Sequence, residues 1–288
     1  MEKKIIFITG ASDGIGRQTA LTLAEQGHQL IIHGRNLEKT RKVLNEITTT
    51  TGNKDVEMVT ADLSLMSEIK QMADKIIAKY NHLDVLINNA GGQFGETRLT
   101  TAEGHERTFA INTLAPFMLS NLLLPLLEKS QSARIVTVSS ASYQQGGNVD
   151  FDDIEFEKNY SLTRSYGLSK RYVWWLMRQM AVELEKRGIK NITVNTCEPG
   201  SAKTQLARES SKELWFRILM FIWQPMMWSL DKAAATSIYL ATSPEVEGKT
   251  GGFYGNRKPL NIKTKLISAE GQQKIWNYCS KVTEKYLK

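Results

Sequence analysis

The chain has 288 residues, 41% hydrophobic and 23% charged, with 37 Lys+Arg against 30 Asp+Glu for a formal net charge of +7. These proportions exclude a disordered, collagenous or coiled-coil chain. Two cysteines are too few for a disulfide scaffold or a thiolate metal site, so a cytoplasmic, reducing setting is expected. The charge is uneven. Arg257, Lys258, Lys263, Lys265, Lys274, Lys281, Lys285 and Lys288 are offset only by Glu270 and Glu284 within residues 257–288, which leaves the preceding body nearly neutral. A nucleic-acid partner would need a basic face on that body, and none is expected.

In chain order, short β-branched runs predict strands at 4–9, 29–33, 55–60, 85–88, 134–139, 191–195 and 252–254. Amphipathic periodicity predicts helices at 14–26, 37–49, 67–79, 101–129, 164–187 and 231–242, with Ser67 and Asp231 as capping signals. The first apolar run is too short for a signal peptide and reads as a strand. The most apolar stretch, 214–228, would span roughly 22 Å as a helix, short of the ~30 Å hydrocarbon core. Arg217, Gln224 and Pro225 also interrupt it. Strands alternating with crossover helices require right-handed βαβ units, hence a doubly wound parallel sheet in a three-layer α/β/α Rossmann fold. No linker or repeat divides the chain. The expected organisation is one catalytic domain over 1–256, with a substrate lid at about 205–230, and a basic helical extension over 257–288.

Directly after the first predicted strand comes Thr9-Gly10-Ala11-Ser12-Asp13-Gly14-Ile15-Gly16, which opens a helix. Glycines there let backbone N–H groups approach a pyrophosphate, and the helix N-terminus adds partial positive charge. The spacing T-G-x-x-x-G-x-G resembles that of the short-chain dehydrogenase/reductases, and the resemblance extends over about residues 4–256. It implies that Gly10, Ser12, Asp13, Gly14, Ile15 and Gly16 cradle a nicotinamide dinucleotide. By the same likeness Asp62 and Leu63 meet the adenine, and Asn89, Ala90 and Gly91 of the N-N-A-G segment lie beside the adenosine ribose. Pro199, Gly200 and Thr204 resemble the segment that closes over the nicotinamide. After the second strand stands His33-Gly34-Arg35-Asn36, with a guanidinium where an acid would hydrogen-bond a 2′-hydroxyl, so NADP(H) is expected over NAD(H). Asp13 departs from this, since many NADP-dependent relatives carry a base at that position. Arg35 could also be an ordinary solvated loop charge.

The family's Tyr-x-x-x-Lys spacing occurs twice, at Tyr166–Lys170 and Tyr254–Lys258. Only a helix brings i and i+4 side chains together, and Gly255 and Pro259 deny the second pair a helix. Tyr166 and Lys170 are therefore the expected catalytic pair, both also contacting cofactor. A phenol with a pKa of about 10 becomes a useful acid near neutrality if it falls by two to three units. A lysine cation about 4 Å away supplies on the order of 4 kcal/mol at an effective dielectric of 20. The resemblance assigns Ser140 to the substrate carbonyl and Ser139 to a supporting position. It makes Asn112 the helix-kinking asparagine that holds a water beside the lysine.

Ser140 and Tyr166 stand 26 positions apart, more than in the shortest relatives, and the intervening polar segment is similar to that of the retinol dehydrogenase-like, lipophilic carbonyl reductase branch. A small carbonyl or alcohol substrate of lipophilic character is implied. The aromatic 214–228 segment reads equally as a lid, a core or dimer helix, or a peripheral membrane contact. Trp175 fits a homodimer seam or a buried monomer position. His28, His33, His82 and His105 lack metal-ligand spacing and read as surface or packing residues. The alternative to an enzyme is a catalytically idle NADP-binding regulator on the same fold.

Overall fold

The computed structural model describes residues 2–200 and 229–288. Strands β1 (Ile5–Ile8), β2 (Gln29–Gly34), β3 (Val56–Thr60), β4 (Val85–Asn88), β5 (Ala133–Val138), β6 (Ile192–Glu198) and β7 (Phe253–Gly255) are parallel, and β8 (Lys258–Pro259) turns back antiparallel to β7. Their order is β3-β2-β1-β4-β5-β6-β7-β8. The connection reverses direction between β1 and β4, which opens a crevice at the carboxyl ends of those strands, where α/β sheets bind ligands.

Helices α1 (Gly14–Glu25), α2 (Leu37–Thr51) and α8 (Leu230–Thr242) cover one face of the sheet. The other face carries α3 (Met66–Lys79), the short α4 (Arg107–Phe109), α5 (Ala115–Leu122), α6 (Leu124–Leu127), α7 (Leu162–Lys186) and α9 (Ala269–Leu287). Successive strand side chains face opposite sides. Phe7, Ile31, Leu86 and Ile135 accordingly join one core, while Ile6, Ile8, Ile32, Ile87 and Val136 join the other. Burial on both faces is why these strands read as continuous apolar runs rather than alternating ones.

Three local expectations need correction. The helix expected at 101–129 starts only at Arg107, because Thr100 and Glu106 pair as a bridge and the Glu106 carboxylate caps the N–H groups of Thr108 and Phe109. The helix then widens into a π turn over Ala110–Leu114 and breaks again at Leu123. Pro116 and Pro125 have no N–H to return to the preceding turn, which accounts for both irregularities. Ser67 does not cap α3. Leu65 occupies the cap, and the distant Glu103 carboxylate accepts from the Met66 and Ser67 N–H groups. The cap of α8 is Ser229, with Asp231 inside its first turn.

The tail is folded onto the body. Helix α9 packs against α7, α5 and α3, with Trp276 edge-on to Phe117 at 5.0 Å and Tyr278 edge-on to Phe109 at 6.0 Å. Trp175 takes the buried monomer position. Its Nε1 donates to the Leu266 carbonyl at 2.9 Å, and Gly271 of α9 lies so close that a β-carbon there would meet the indole at 2.8 Å.

Candidate active site

The glycine turn is fastened before any side chain of the site is placed. Thr9 Oγ1 accepts from the N–H groups of Asn89 and Ala90, both at 3.0 Å, and the Asn89 amide donates to the Thr9 carbonyl at 2.9 Å. Gly10 and Gly14 have φ of 66° and 52°, the left-handed region that suits glycine. A β-carbon on Gly16 would stand 2.3 Å from the Asn89 amide and from the Gly10 carbonyl. The turn and the Asn89-Ala90-Gly91 segment thus form one rigid cradle, with Ile15 in the first turn of α1. Asp13 caps that helix, accepting from Gly14 N–H at 2.7 Å.

His33, read from sequence only as a surface or packing residue, ties the cradle to the sheet. Its Nδ1 accepts the Gly10 N–H at 3.2 Å and its Nε2 lies 3.0 Å from the Ala61 carbonyl, so the neutral ring with the proton on Nε2 satisfies both. Burial lowers its pKa, which keeps it neutral. Gly34 allows Ser12 to pack close, since a β-carbon there would be 2.8 Å from Ser12 Cβ. Arg35 extends into solvent, with its guanidinium 4.0 Å from the Asp62 carboxylate. Asn36 caps α2 by accepting from Lys39 N–H at 2.8 Å, while the Lys39 ammonium binds Asp13 at 2.6 Å. Lys39 therefore brings a base to the position that Asp13 occupies, a compensation that the sequence spacing did not reveal. Leu63 is buried beneath this edge.

Tyr166 and Lys170 lie one turn apart on α7, which Ser161 caps. Tyr254 and Lys258 sit on β7 and β8, apart from that crevice. Ser140 lies near enough to the Tyr166 phenol to favour its ionised form, and its hydroxyl accepts from the Ser142 N–H as it caps the short turn Ala141–Gln144. Ser139 points elsewhere, donating to the Lys170 carbonyl at 2.8 Å. The two serines therefore face different partners. Asn112 sits in the π turn, accepts from Gly92 N–H at 2.9 Å and donates to the Gly92 carbonyl and to Ser169 Oγ. A β-carbon on Gly91 would be 2.9 Å from Lys170 Nζ and 3.1 Å from Asn112 Oδ1, so Gly91 is the point where these residues converge.

One electrostatic expectation is reversed. The Lys170 ammonium donates to the Val138 carbonyl at 3.1 Å and lies 6.0 Å from the centroid of the Tyr166 ring. Burial therefore dominates both groups. It raises the Tyr166 phenol above its ordinary value, partly countered by Ser140, and lowers Lys170 to about 8.

The segment between Ser140 and Tyr166 is locked down by α7 and α9. Arg171 donates to the Tyr143 and Gly147 carbonyls, and Arg164 donates to that of Gly146. Glu155 accepts from His105 at 2.9 Å, Tyr278 at 2.7 Å and Glu106 N–H at 2.7 Å. Burial raises that carboxyl, but these hydrogen bonds outweigh it and hold its pKa below the usual value. Neither His105 nor Glu155 carried a signal in sequence, because their partners lie 50 and 123 positions apart.

Pro199 and Gly200 follow β6, with Gly200 at φ 70°. Thr204, nearly all of the expected lid at 205–230 and the aromatic 214–228 segment lie outside the described residues. Among the described residues there is no cluster of three or more His, Cys, Asp or Glu side chains able to hold a metal, and no helix long and apolar enough to cross a membrane.

A seven-strand parallel array with a glycine cradle at its switch point and a Ser-Tyr-Lys-Asn cluster beside it defines a dinucleotide-dependent oxidoreductase fold. The family model for short chain dehydrogenase matches residues 4–215. The chain belongs to that family. It is 34% identical over 291 residues to retinol dehydrogenase 14 of Mus musculus, covering 96% of this chain and 85% of that protein. It is 32% identical over 274 residues to a Streptomyces sp. strain C5 protein described as a daunorubicin C-13 ketoreductase, covering 95% and 90%. Among solved structures, a Shigella flexneri 2a protein described as a short chain dehydrogenase and complexed with NADP superposes with a TM-score of 0.70 at 28% identity, covering 90% of this chain and 98% of that one.

Proposed function

We propose that the protein is an NADP(H)-dependent oxidoreductase that interconverts a lipophilic carbonyl compound and its alcohol. The observation that carries this reading is the meeting of Lys170 and Asn112 at Gly91, next to the glycine cradle, with Tyr166 one helical turn from Lys170 and Ser140 beside the Tyr166 phenol.

The residues present fit a bound dinucleotide. At Gly10, Gly16 and Gly91 a β-carbon would strike Ala90, Asn89 and Lys170, so this part of the cradle is bare backbone whose N–H groups a pyrophosphate can approach. The wholly buried Lys170 ammonium has three N–H donors and one described acceptor, Val138, which leaves donors for cofactor hydroxyls. Arg35, with Asn36 and Lys39 beside it, supplies the positive edge that suits a 2′-phosphate, and the solved relative described as complexed with NADP supports the same choice. When bound, the nicotinamide supplies or accepts the hydride.

The chain's own residues handle the oxygen and the proton. Ser140 hydrogen-bonds the substrate oxygen and orients the Tyr166 hydroxyl, which donates its proton to that oxygen in reduction and takes it back in oxidation. Lys170 holds positive charge behind the phenol, and Asn112 fixes the Gly91-Gly92 backbone in front of the lysine. Retinol dehydrogenase and ketoreductase relatives support a bulky apolar substrate. Trp175 is covered by α9, so it is not the residue through which a homodimer would pack. Two free, buried cysteines suit a cytoplasmic setting.

The test is Tyr166→Phe, assayed for NADPH oxidation against retinal, a long-chain aldehyde and an aromatic ketone. A loss of kcat of about a hundredfold to ten-thousandfold with NADPH binding retained is expected. Full turnover in the variant would remove Tyr166 from the mechanism.

A further inference from the structure

The β8 edge of the sheet carries a second recess. A groove of about 420 Å³ lies between α7 and the segment after β8, bounded by Phe253, Pro259, Leu260, Ile262 and Ile267, with Arg178 in its wall. Arg178 stands twelve positions beyond Tyr166 on α7, about 18 Å along the helix. The groove also includes Gly251 and Gly252, at the amino end of β7, whereas the cofactor crevice lies at the carboxyl ends of the strands.

Three observations give the groove a chemistry. Arg178 is only partly exposed, yet it makes no hydrogen bond or ion pair with any described residue. Its guanidinium is a fixed fork suited to a carboxylate. A large apolar side chain is open to solvent in the same wall, where Ile267 is 37% exposed. From Gly248 to Ala269 the sequence holds Lys249, Arg257, Lys258, Lys263 and Lys265 and no Asp or Glu, so this stretch offers no anion of its own. The volume falls in the roughly 300–1,000 Å³ range of small-molecule sites.

We propose that this groove binds a monomeric long-chain carboxylate, with its head on the Arg178 guanidinium and its chain along Phe253, Leu260, Ile262 and Ile267. The floor adjoins the active-site framework. Phe253 packs on Tyr143 at 5.1 Å and on Trp174 at 5.6 Å, and Tyr143 belongs to the turn that Ser140 caps.

Isothermal titration of the full chain with dodecanoate, below its micelle concentration and with and without NADPH, tests the assignment. One dodecanoate per chain is expected in both conditions. Arg178→Leu and Arg178→Gln should each weaken it at least tenfold, as should replacing dodecanoate with uncharged dodecanol. Both variants should keep wild-type kcat and KM for carbonyl reduction, and dodecanoate should not compete with the carbonyl substrate. Unchanged binding in folded variants, competition with substrate, or no saturable binding would overturn the proposal. So would self-association of the chain that either variant abolishes, since the groove would then serve a second copy.

Discussion

Replacing Lys170 with methionine removes a charge that burial opposes and that the proposed chemistry uses. The ammonium is wholly buried, and burial lowers its pKa from 10.5 to about 8. That difference corresponds to about 3 kcal/mol of instability while the group is charged. Methionine would lift this penalty but leave the Val138 carbonyl without its donor, a cost of about 1–2 kcal/mol. The net expectation at pH 7.5 is a cofactor-free variant about 1–2 kcal/mol more stable than wild type. The pH dependence supplies the second test. Because the folded-state pKa lies below the unfolded one, between pH 8 and 10.5 the unfolded chain binds more protons and wild-type stability from this group rises with pH. The slope approaches about 1.4 kcal/mol per unit. Below pH 8 both states are protonated and the penalty is constant. Lys170→Met lacks this rise, so its advantage should shrink and then reverse between pH 7.5 and pH 10 in urea unfolding. Carbonyl reduction by the same preparations should fall about a hundredfold or more. A variant less stable than wild type at pH 7.5, or a stability difference that does not move with pH, would refute the account of Lys170 as a buried, strained cation.

Two further outcomes follow from the site's edges. Arg35→Asp removes the guanidinium beside Asp62 and places an acid where a 2′-hydroxyl would bind, so the ratio of kcat/KM for NADPH over NADH should fall by about a hundredfold. An unchanged ratio would return Arg35 to the status of a solvated loop charge. Glu155→Gln replaces the acceptor shared by His105, Tyr278 and the Glu106 N–H with a side chain that must present an amide to one of them. A loss of about 2–3 kcal/mol is expected, with hydrogen exchange in α9 accelerated before that of β1 or β5. Protection of α9 equal to wild type would show that the tail is held by its apolar contacts alone.

The parts legible in the sequence were those governed by local chemistry. The glycine spacing at Gly10–Gly16, the helical i, i+4 pair Tyr166–Lys170 and the rejection of Tyr254–Lys258 rest on backbone rules that act within a few residues. Ser139 and Ser140 are likewise neighbours at a strand end whose side chains take different partners, Ser139 the Lys170 carbonyl and Ser140 the surroundings of the Tyr166 phenol. What could not be read involved partners remote in sequence. Glu103 caps α3 from 36 positions away, and Lys39 neutralises Asp13 from 26. Hydrophobic periodicity over 101–129 carries no sign of the π turn and the break near Pro116 and Pro125.

By itself the sequence determined the strand–helix alternation, the glycine turn and the helical placement of Tyr166 and Lys170, because each depends on periodicity or on glycine and proline geometry. Tertiary structure decided the rest. It set the protonation preferences of Tyr166 and Lys170, which follow burial and the Val138 carbonyl rather than residue spacing. It also decided the fate of the basic tail, whose apolar face is consumed by Phe109, Phe117 and Trp175. Desolvation and long-range packing are properties of the assembled fold, and no local pattern carries them.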